Sequence, residues 1–424
     1  MRTIKTIRLF YLLYTVYTIL ILMVSDYRLV YALVGLISIW GAFILFEIGF
    51  LSVKQYSHNK SDNHPQISNS FPLASIQEWT LLSKTVSVII AWGCTIFAAR
   101  FYTGRNFTSV ISGIRGGVSA YQNYQRYFVS NNIASFTLAK IPYILMLAIL
   151  TILLMWTVLS TILCKSKRKW YDYMWLISII LAYLYFGSAR GTNFETYIVF
   201  ILLSYCFLQK SNGMSIRKKV LAILAVGLIG LVMIFSYRYV LLDRGVIFEN
   251  KICQEISFDA EAWISRSFPS LTNIYVSLFS YLGYGIYAIG VSVVDICFGN
   301  VKDIIGFLLP MGHRLMTGET MRYSLSQTIN IGVRWIPDYV QLIDLIGGIG
   351  IIVFFLLLGR FTSKIQRANY PALLKEVLHA IVFIEMLSVP IGNFLLNSSS
   401  NEIMVLYAIL WMIQNNYFVI KIKR

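Results

Sequence analysis

The sequence predicts a polytopic α-helical integral membrane protein, all-α, with about ten transmembrane helices. Three observations lead there. Only 13% of the 424 residues are charged and 57% are hydrophobic, where a soluble domain carries about 25% charged residues. The apolar residues are gathered into runs, and a run of about 20 is what a helix needs to cross the hydrocarbon layer. The lysines between the runs alternate from one connection to the next, which is the pattern that orients a membrane protein.

The spans read, in order, 9–24, 29–53, 80–101, 141–164, 174–188, 194–209, 220–242, 343–359, 376–396 and 402–420. The first follows Arg2, Lys5 and Arg8, like a signal peptide. No small-residue cleavage site follows it and the next span begins at once, so it is kept as a helix. Lys54 and Lys60, then Lys165 to Lys169, Lys210 to Lys219, Arg360 to Lys375 and the tail Lys421 to Arg424 mark one side as cytoplasmic. Both termini fall on that side. The loop 54–79, rich in Ser, Asn, His and Lys, is a solvated cytoplasmic connection. A further apolar stretch, 271–298, would invert everything after it if it crossed once. It is expected instead to re-enter or to lie along the outer face, with Gly283, Gly285 and Gly290 allowing breaks. The chain is thus one transmembrane domain, 1–424, with a first external loop at 102–140 and a large external block at 243–342.

Several functions have no anchor. The net charge of +17 sits in short loops and forms no single face, so nucleic acid is not expected as a partner. The five cysteines show no CxxC spacing. Phosphate-loop, His-Glu-x-x-His and Gly-x-Ser-x-Gly motifs are absent from the sequence, and no internal repeat is visible.

The basic residues differ by side. The cytoplasmic loops favour lysine, whereas the outer face and outer helix ends hold twelve arginines against Lys140, Lys251 and Lys302. Orientation needs only positive charge. An outer preference for arginine needs another cause, and the guanidinium fork grips phosphate or carboxylate bidentately. Some of these arginines would simply reach headgroups. The densest local signal is Gly187-Ser-Ala-Arg190-Gly-Thr-Asn-Phe-Glu195, which joins two apolar runs with almost no loop. Arg190 and Glu195 are costly near lipid. They are expected either to line a functional interior or to pin the hairpin as an ion pair, and the two roles are compatible.

That turn, the arginine-bearing external loop after the third span, and a late external block leading into Asp344-Leu-Ile-Gly-Gly-Ile-Gly350 resemble the pattern of bacterial O-antigen polymerases of the Wzy type. The resemblance covers the chain in span order and loop size. It implies a fold similar to the metal-independent branch of membrane glycosyltransferases (GT-C-like), in the bacterial inner membrane. It implies a reaction on the periplasmic face between undecaprenyl-diphosphate-linked oligosaccharide units, with no cofactor. Membrane lipids and a chain-length regulator protein are the further partners it implies.

In that chemistry the donor's leaving group is an activated diphosphate, and arginines can neutralise the charge that develops on it. The acceptor hydroxyl calls for a general base. His313, Arg190 and Arg314 are the expected catalytic residues. His313 alone of the four histidines falls in the late external block, and Arg314 beside it opposes the imidazolium form. Glu319 and Asp338 are reserve bases. Arg115, Arg238, Arg244, Arg322, Arg334 and Glu195 are the expected contacts to substrate and diphosphate. Asp259-Ala-Glu261 has the acid-x-acid spacing of metal-dependent transferases, but lies late in the chain rather than in the first external loop. Two other functions stay open: a flippase or other carrier of lipid-linked oligosaccharide, and an O-antigen ligase using the same donor. A carrier is expected to spread polar residues through its spans, whereas here they concentrate on one side.

Overall fold

The computed structural model describes residues 2–26, 28–58, 80–116, 120–131, 133, 137–163, 169–192, 194–210, 256–259, 261–267, 283–297, 337–368, 370–392 and 398–422. Apart from one isolated bridge, Ser25 to Phe258, the regular structure among them is helical. In chain order the longer helices are α1 (Arg2–Leu22), α2 (Leu29–His58), α3 (Leu81–Thr103), α4 (Phe107–Gly116) and α5 (Ala120–Ser130). There follow α6 (Ile141–Leu163), α7 (Trp170–Arg190), α8 (Phe194–Lys210), α9 (Tyr284–Cys297), α10 (Asp338–Arg367), α11 (Ala372–Ser388) and α12 (Ser399–Ile422). Among the described residues, six segments are long and apolar enough to cross a membrane: Ile4–Leu22, Leu29–Val53, Leu81–Thr103, Leu138–Leu163, Trp170–Arg190 and Leu345–Arg367. Their outward residues, such as Leu12, Leu13, Ile37, Ile89 and Leu357, are large and aliphatic and remain exposed. Water would not tolerate so much contiguous apolar surface, and lipid requires it. The protein is therefore a helical membrane protein.

Helices α8, α11 and α12 overlap the runs predicted at 194–209, 376–396 and 402–420 but are not among the six; α11 already ends at Ser388, and 220–242 lies outside the described residues. The boundaries differ instructively. The run predicted at 174–188 extends to Trp170–Arg190, and at its start the Lys169 amide donates to Asp172 Oδ2 at 2.9 Å, which caps the helix. The helix that holds the span predicted at 343–359 begins earlier, at Asp338, and its axis breaks at Gly347 (φ 68°, ψ 180°), next to the start of the apolar crossing segment at Leu345. Part of 102–140, predicted as loop, folds into α4 and α5. Phe107, Val110, Ile111 and Ile114 recur at helical spacing, as do Tyr121, Tyr124 and Phe128, so one face of each helix can pack.

The chain divides into two compact units. The first comprises Met1–Gln66, Ile247–Ala368 and Val382–Asn393. Here α2 packs against α9 and α10 at glycines. A Cβ on Gly49 would lie 2.1 Å from the Leu356 carbonyl oxygen, and one on Gly359 would lie 2.0 Å from that of Phe46. Small residues at such crossings let backbones meet in lipid, where no hydrophobic force drives helices together. Gly290 plays the same part against Tyr31. This corrects the expectation that Gly285 and Gly290 break the segment: 284–297 is one continuous helix, and its glycines serve close approach. At one end of this unit, Asp26 and Val24 hydrogen-bond with Ser257 and Asp259. At the other end, Arg367 donates to the Val53 carbonyl at 2.8 Å.

The second unit comprises Ile67–Val246, Asn369–Ile381 and Phe394–Arg424. Helices α3, α6, α7 and α8 pack side by side, and α12 lies on α6 with Trp411 stacked on Trp156. Lys84 of α3 pairs with Asp172 of α7, both buried. Beside them the Trp175 indole donates to Ser87 at 2.8 Å and the Trp92 indole donates to Ser178 at 3.1 Å. This polar clamp fixes the register of α3 on α7 and thereby the position of the opposite end of α7, where Arg190 lies.

Candidate functional site

The site is built on the tight connection between α7 and α8. Gly191 caps α7 in the left-handed conformation (φ 65°). Its amide donates to the Ser188 carbonyl at 3.2 Å, and the Thr192 amide donates to that of Gly187 at 3.0 Å. This is the paired bonding of a Schellman cap, and it turns the chain within two residues. A side chain at 191 would also strike the backbone of Ala120 and Tyr121 at the amino end of α5. Gly187 is bare for a different reason: a Cβ there would sit 2.6 Å from Glu195 Oε2. The two glycines of the sequence motif therefore make room for α5 and for a carboxylate.

Arg190 occupies the last residue of α7 and Glu195 the second residue of α8. A cation at a helix carboxyl end and an anion at a helix amino end are both favoured by the helix dipoles. The two side chains pair, Arg190 Nη2 donating to Glu195 Oε1. Thr192 donates to the other carboxylate oxygen at 3.1 Å. Glu195 is thus buried and satisfied, whereas Arg190 is not. Its Nε is buried without an acceptor, and 22% of its side chain stays accessible. The guanidinium spends a donor on Glu195 and keeps hydrogen-bonding capacity for an incoming group.

Aromatic side chains surround this guanidinium. Its carbon lies 4.5 Å from the Phe186 ring centre, a cation–π contact. Tyr102 meets Phe186 edge-on at 6.1 Å. Tyr124 of α5 feels both Arg190 and Glu195. Burial raises its hydroxyl pKa and Arg190 pulls the other way, so it remains a neutral phenol. Tyr121 and Phe128 continue the aromatic face of α5 at 6.3 and 5.4 Å from Tyr124. The arrangement offers a bidentate-capable cation beside flat apolar rings, a combination suited to a phosphorylated sugar: guanidinium for the phosphate, ring faces for C–H surface.

Of the expected site residues, the structure brings Arg190 and Glu195 together. Arg115 lies on α4, the helix packed against α7, with its side chain outside the described residues. His313, Arg314, Arg238, Arg244, Arg322, Arg334 and Glu319 lie outside the described residues altogether. Other outer arginines are engaged locally or exposed: Arg105 donates to the Ser109 carbonyl at 2.7 Å, and Arg126 is exposed. In the Asp259-Ala-Glu261 segment, Asp259 Oδ1 accepts from the Glu261 amide at 2.9 Å and Glu261 pairs with Arg266. Both carboxylates are therefore used within the turn. The first unit has a polar recess of about 310 Å³ lined by Asp26, Arg28, Tyr31, Ile256 and Tyr287. Its charged residues, Asp26 and Arg28, are exposed.

The aromatic lining went unassigned in the sequence, although Tyr121 and Tyr124 stand three apart in an arginine-bearing loop, which is helical face spacing. Compared with known protein families, curated proteins and solved structures, the chain matches none.

Proposed function

We propose that the chain is an O-antigen polymerase: a multi-pass inner-membrane glycosyltransferase of about ten spans, with a GT-C-like fold and both termini cytoplasmic. It joins undecaprenyl-diphosphate-linked oligosaccharide units at the periplasmic face. Membrane lipids surround it, and a chain-length regulator is a natural partner. One observation carries the reading. At the end of a spanning helix, Arg190 is held in a rigid turn among aromatic rings with a buried, unused Nε donor.

The mechanism follows from the leaving group. The bond between the anomeric carbon and the diphosphate oxygen breaks. A hydroxyl oxygen of the second lipid-linked unit bonds to that carbon. The hydroxyl proton passes to His313, and undecaprenyl diphosphate departs. Arg190 and Arg314 neutralise the charge growing on the diphosphate, with no metal in the step. Arg115, Arg238, Arg244, Arg322 and Arg334 hold the remaining phosphate and substrate charge. Glu195 keeps Arg190 in place.

Lipopolysaccharide from a strain lacking the protein tests this directly. Core capped by a single repeat unit is the expected profile, because ligation continues when polymerisation stops. Uncapped core would assign the chain to the ligase or flippase step instead.

A further inference from the structure

The first unit holds two carboxyl groups within its helix packing. Asp338 is the first residue of α10, behind Pro337, and Glu385 lies in the last turn of α11. Asp338 is 1% exposed and Glu385 5%. The backbone joins the two helix ends, the Tyr339 amide donating to the Val389 carbonyl at 3.3 Å. Gly285 of α9 closes a third side: a Cβ there would lie 1.8 Å from the Pro390 carbonyl oxygen and 3.4 Å from Pro337 Cγ. Helix α1 closes the fourth. Its Tyr11 hydroxyl donates to the Met386 carbonyl at 3.0 Å and its Tyr14 hydroxyl to that of Pro390 at 3.3 Å. These residues stand 8 to 11 positions before the end of α1, about 12–16 Å along the helix. The pair is therefore deep, not at a surface.

What is absent matters as much. Asp338 Oδ1, Asp338 Oδ2 and Glu385 Oε1 are buried and meet no hydrogen-bond donor. The tyrosines that cover them have committed their protons to backbone carbonyls. Among the described residues, Tyr11 of α1 is the titratable group within electrostatic reach of both carboxyls, with Tyr14 beside it, and Tyr284 and Tyr339 adjoin Gly285 and Asp338 in sequence. Among the described residues, no ion pair joins either carboxyl to a Lys, Arg or His. The carboxyl end of α11 sets the negative pole of a helix beside Glu385, whereas Asp338, first in α10, sits at a positive one, so the two acids are not equivalent. A purely structural pair would bring its own donors, as Lys84 and Asp172 do. Among the described residues this one has no cationic side chain beside it, and two neighbouring carboxylates do not readily both ionise without one. Ionisable residues at membrane depth mark ion or proton sites by default.

We propose that Asp338 and Glu385 form a site for an exchangeable monovalent cation, a proton or Na⁺, enclosed by α1, α9, α10 and α11. In the proton-loaded state a carboxylic acid O–H is present. On exchange, –COOH and Na⁺ give –COO⁻·Na⁺ and a released proton, so charge balances. The site stands on geometry in the first unit and does not depend on the polymerase reading.

Infrared difference spectroscopy of the purified full chain in lipid nanodiscs tests it through the C=O stretch of protonated carboxyls. Raising the pH from about 5 to about 9 spans the range in which buried carboxyls titrate, and the band is expected to be lost across it. Glu385→Gln and Asp338→Asn, both isosteric, should each remove part of that band. In each variant the remaining carboxyl should titrate at lower pH, because its neighbour's charge no longer opposes ionisation. Adding NaCl against a KCl control at fixed pH separates the two cations. Band loss with release of a proton identifies Na⁺ exchange, and no effect identifies a proton site; either supports the proposal. A wild-type band that is unchanged by pH and by Na⁺, or a titrating band that survives both substitutions, overturns it. The wild-type pH series decides the matter even where a variant fails to accumulate.

Discussion

Arg190→Ala is expected to abolish chain extension while the protein stays in the membrane at its normal level. Removing one preorganised donor to a developing oxyanion costs about 10²–10³-fold in turnover, and Arg190 presents at least two donors not used by Glu195. Arg190→Lys should rescue poorly. An ammonium can pair with Glu195, but it is a point charge and cannot grip a diphosphate through a planar fork. The structural alternative makes a different forecast. If the Arg190–Glu195 pair only pins the hairpin, Arg190→Ala and Glu195→Ala should both deplete the protein from the membrane, and lysine should restore it. Immunoblots of membranes beside lipopolysaccharide gels separate the two. A fully active lysine variant would reduce the requirement to simple charge.

His313→Ala is expected to lower turnover about 10²–10⁴-fold, the usual contribution of a positioned base, with donor binding little changed. A sugar hydroxyl holds its proton far above neutral pH, so an acceptor for that proton lowers the barrier. Arg314→Ala should weaken donor binding as well, since its part is charge neutralisation. The wild-type rate should fall on the acidic side as the base becomes protonated, and that limb should vanish in His313→Ala. Near-normal turnover in His313→Ala would end the assignment and make Glu319 the next position to test, since Asp338, the other reserve base, is buried within the helix packing.

The membrane class and most helices were legible because crossing a bilayer demands one repeated signal, an apolar run of fixed length. Helices α4 and α5 were missed because their apolar faces are short and interleaved with Gln, Asn and Arg. Hydropathy averages over such faces, although Tyr121, Tyr124 and Phe128 carry the helical period. The glycines of 283–290 were misread for a related reason. A glycine in an apolar stretch serves either a break or a close approach, and only the neighbour's position decides. Gly290 faces the Tyr31 backbone, so it packs. The Gly187-to-Glu195 turn was legible because two charged residues between apolar runs are too costly to be incidental. Its aromatic surroundings were not, since Tyr102, Tyr124 and Phe186 come from three helices that only tertiary packing unites. Glu385 escaped notice inside an apolar run, where one acid barely lowers the average. Beside Asp338 it is the less conspicuous half of a buried pair.

The most direct measurement uses the purified protein in proteoliposomes with a lipid-diphosphate-linked repeat unit as both donor and acceptor, in the presence of a metal chelator. A ladder of lengthened lipid-linked products, lost in Arg190→Ala, is the predicted result. Failure to extend the repeat unit without added Mg²⁺ or Mn²⁺, or transbilayer movement of the unit without any new glycosidic bond, would contradict an arginine-driven polymerase.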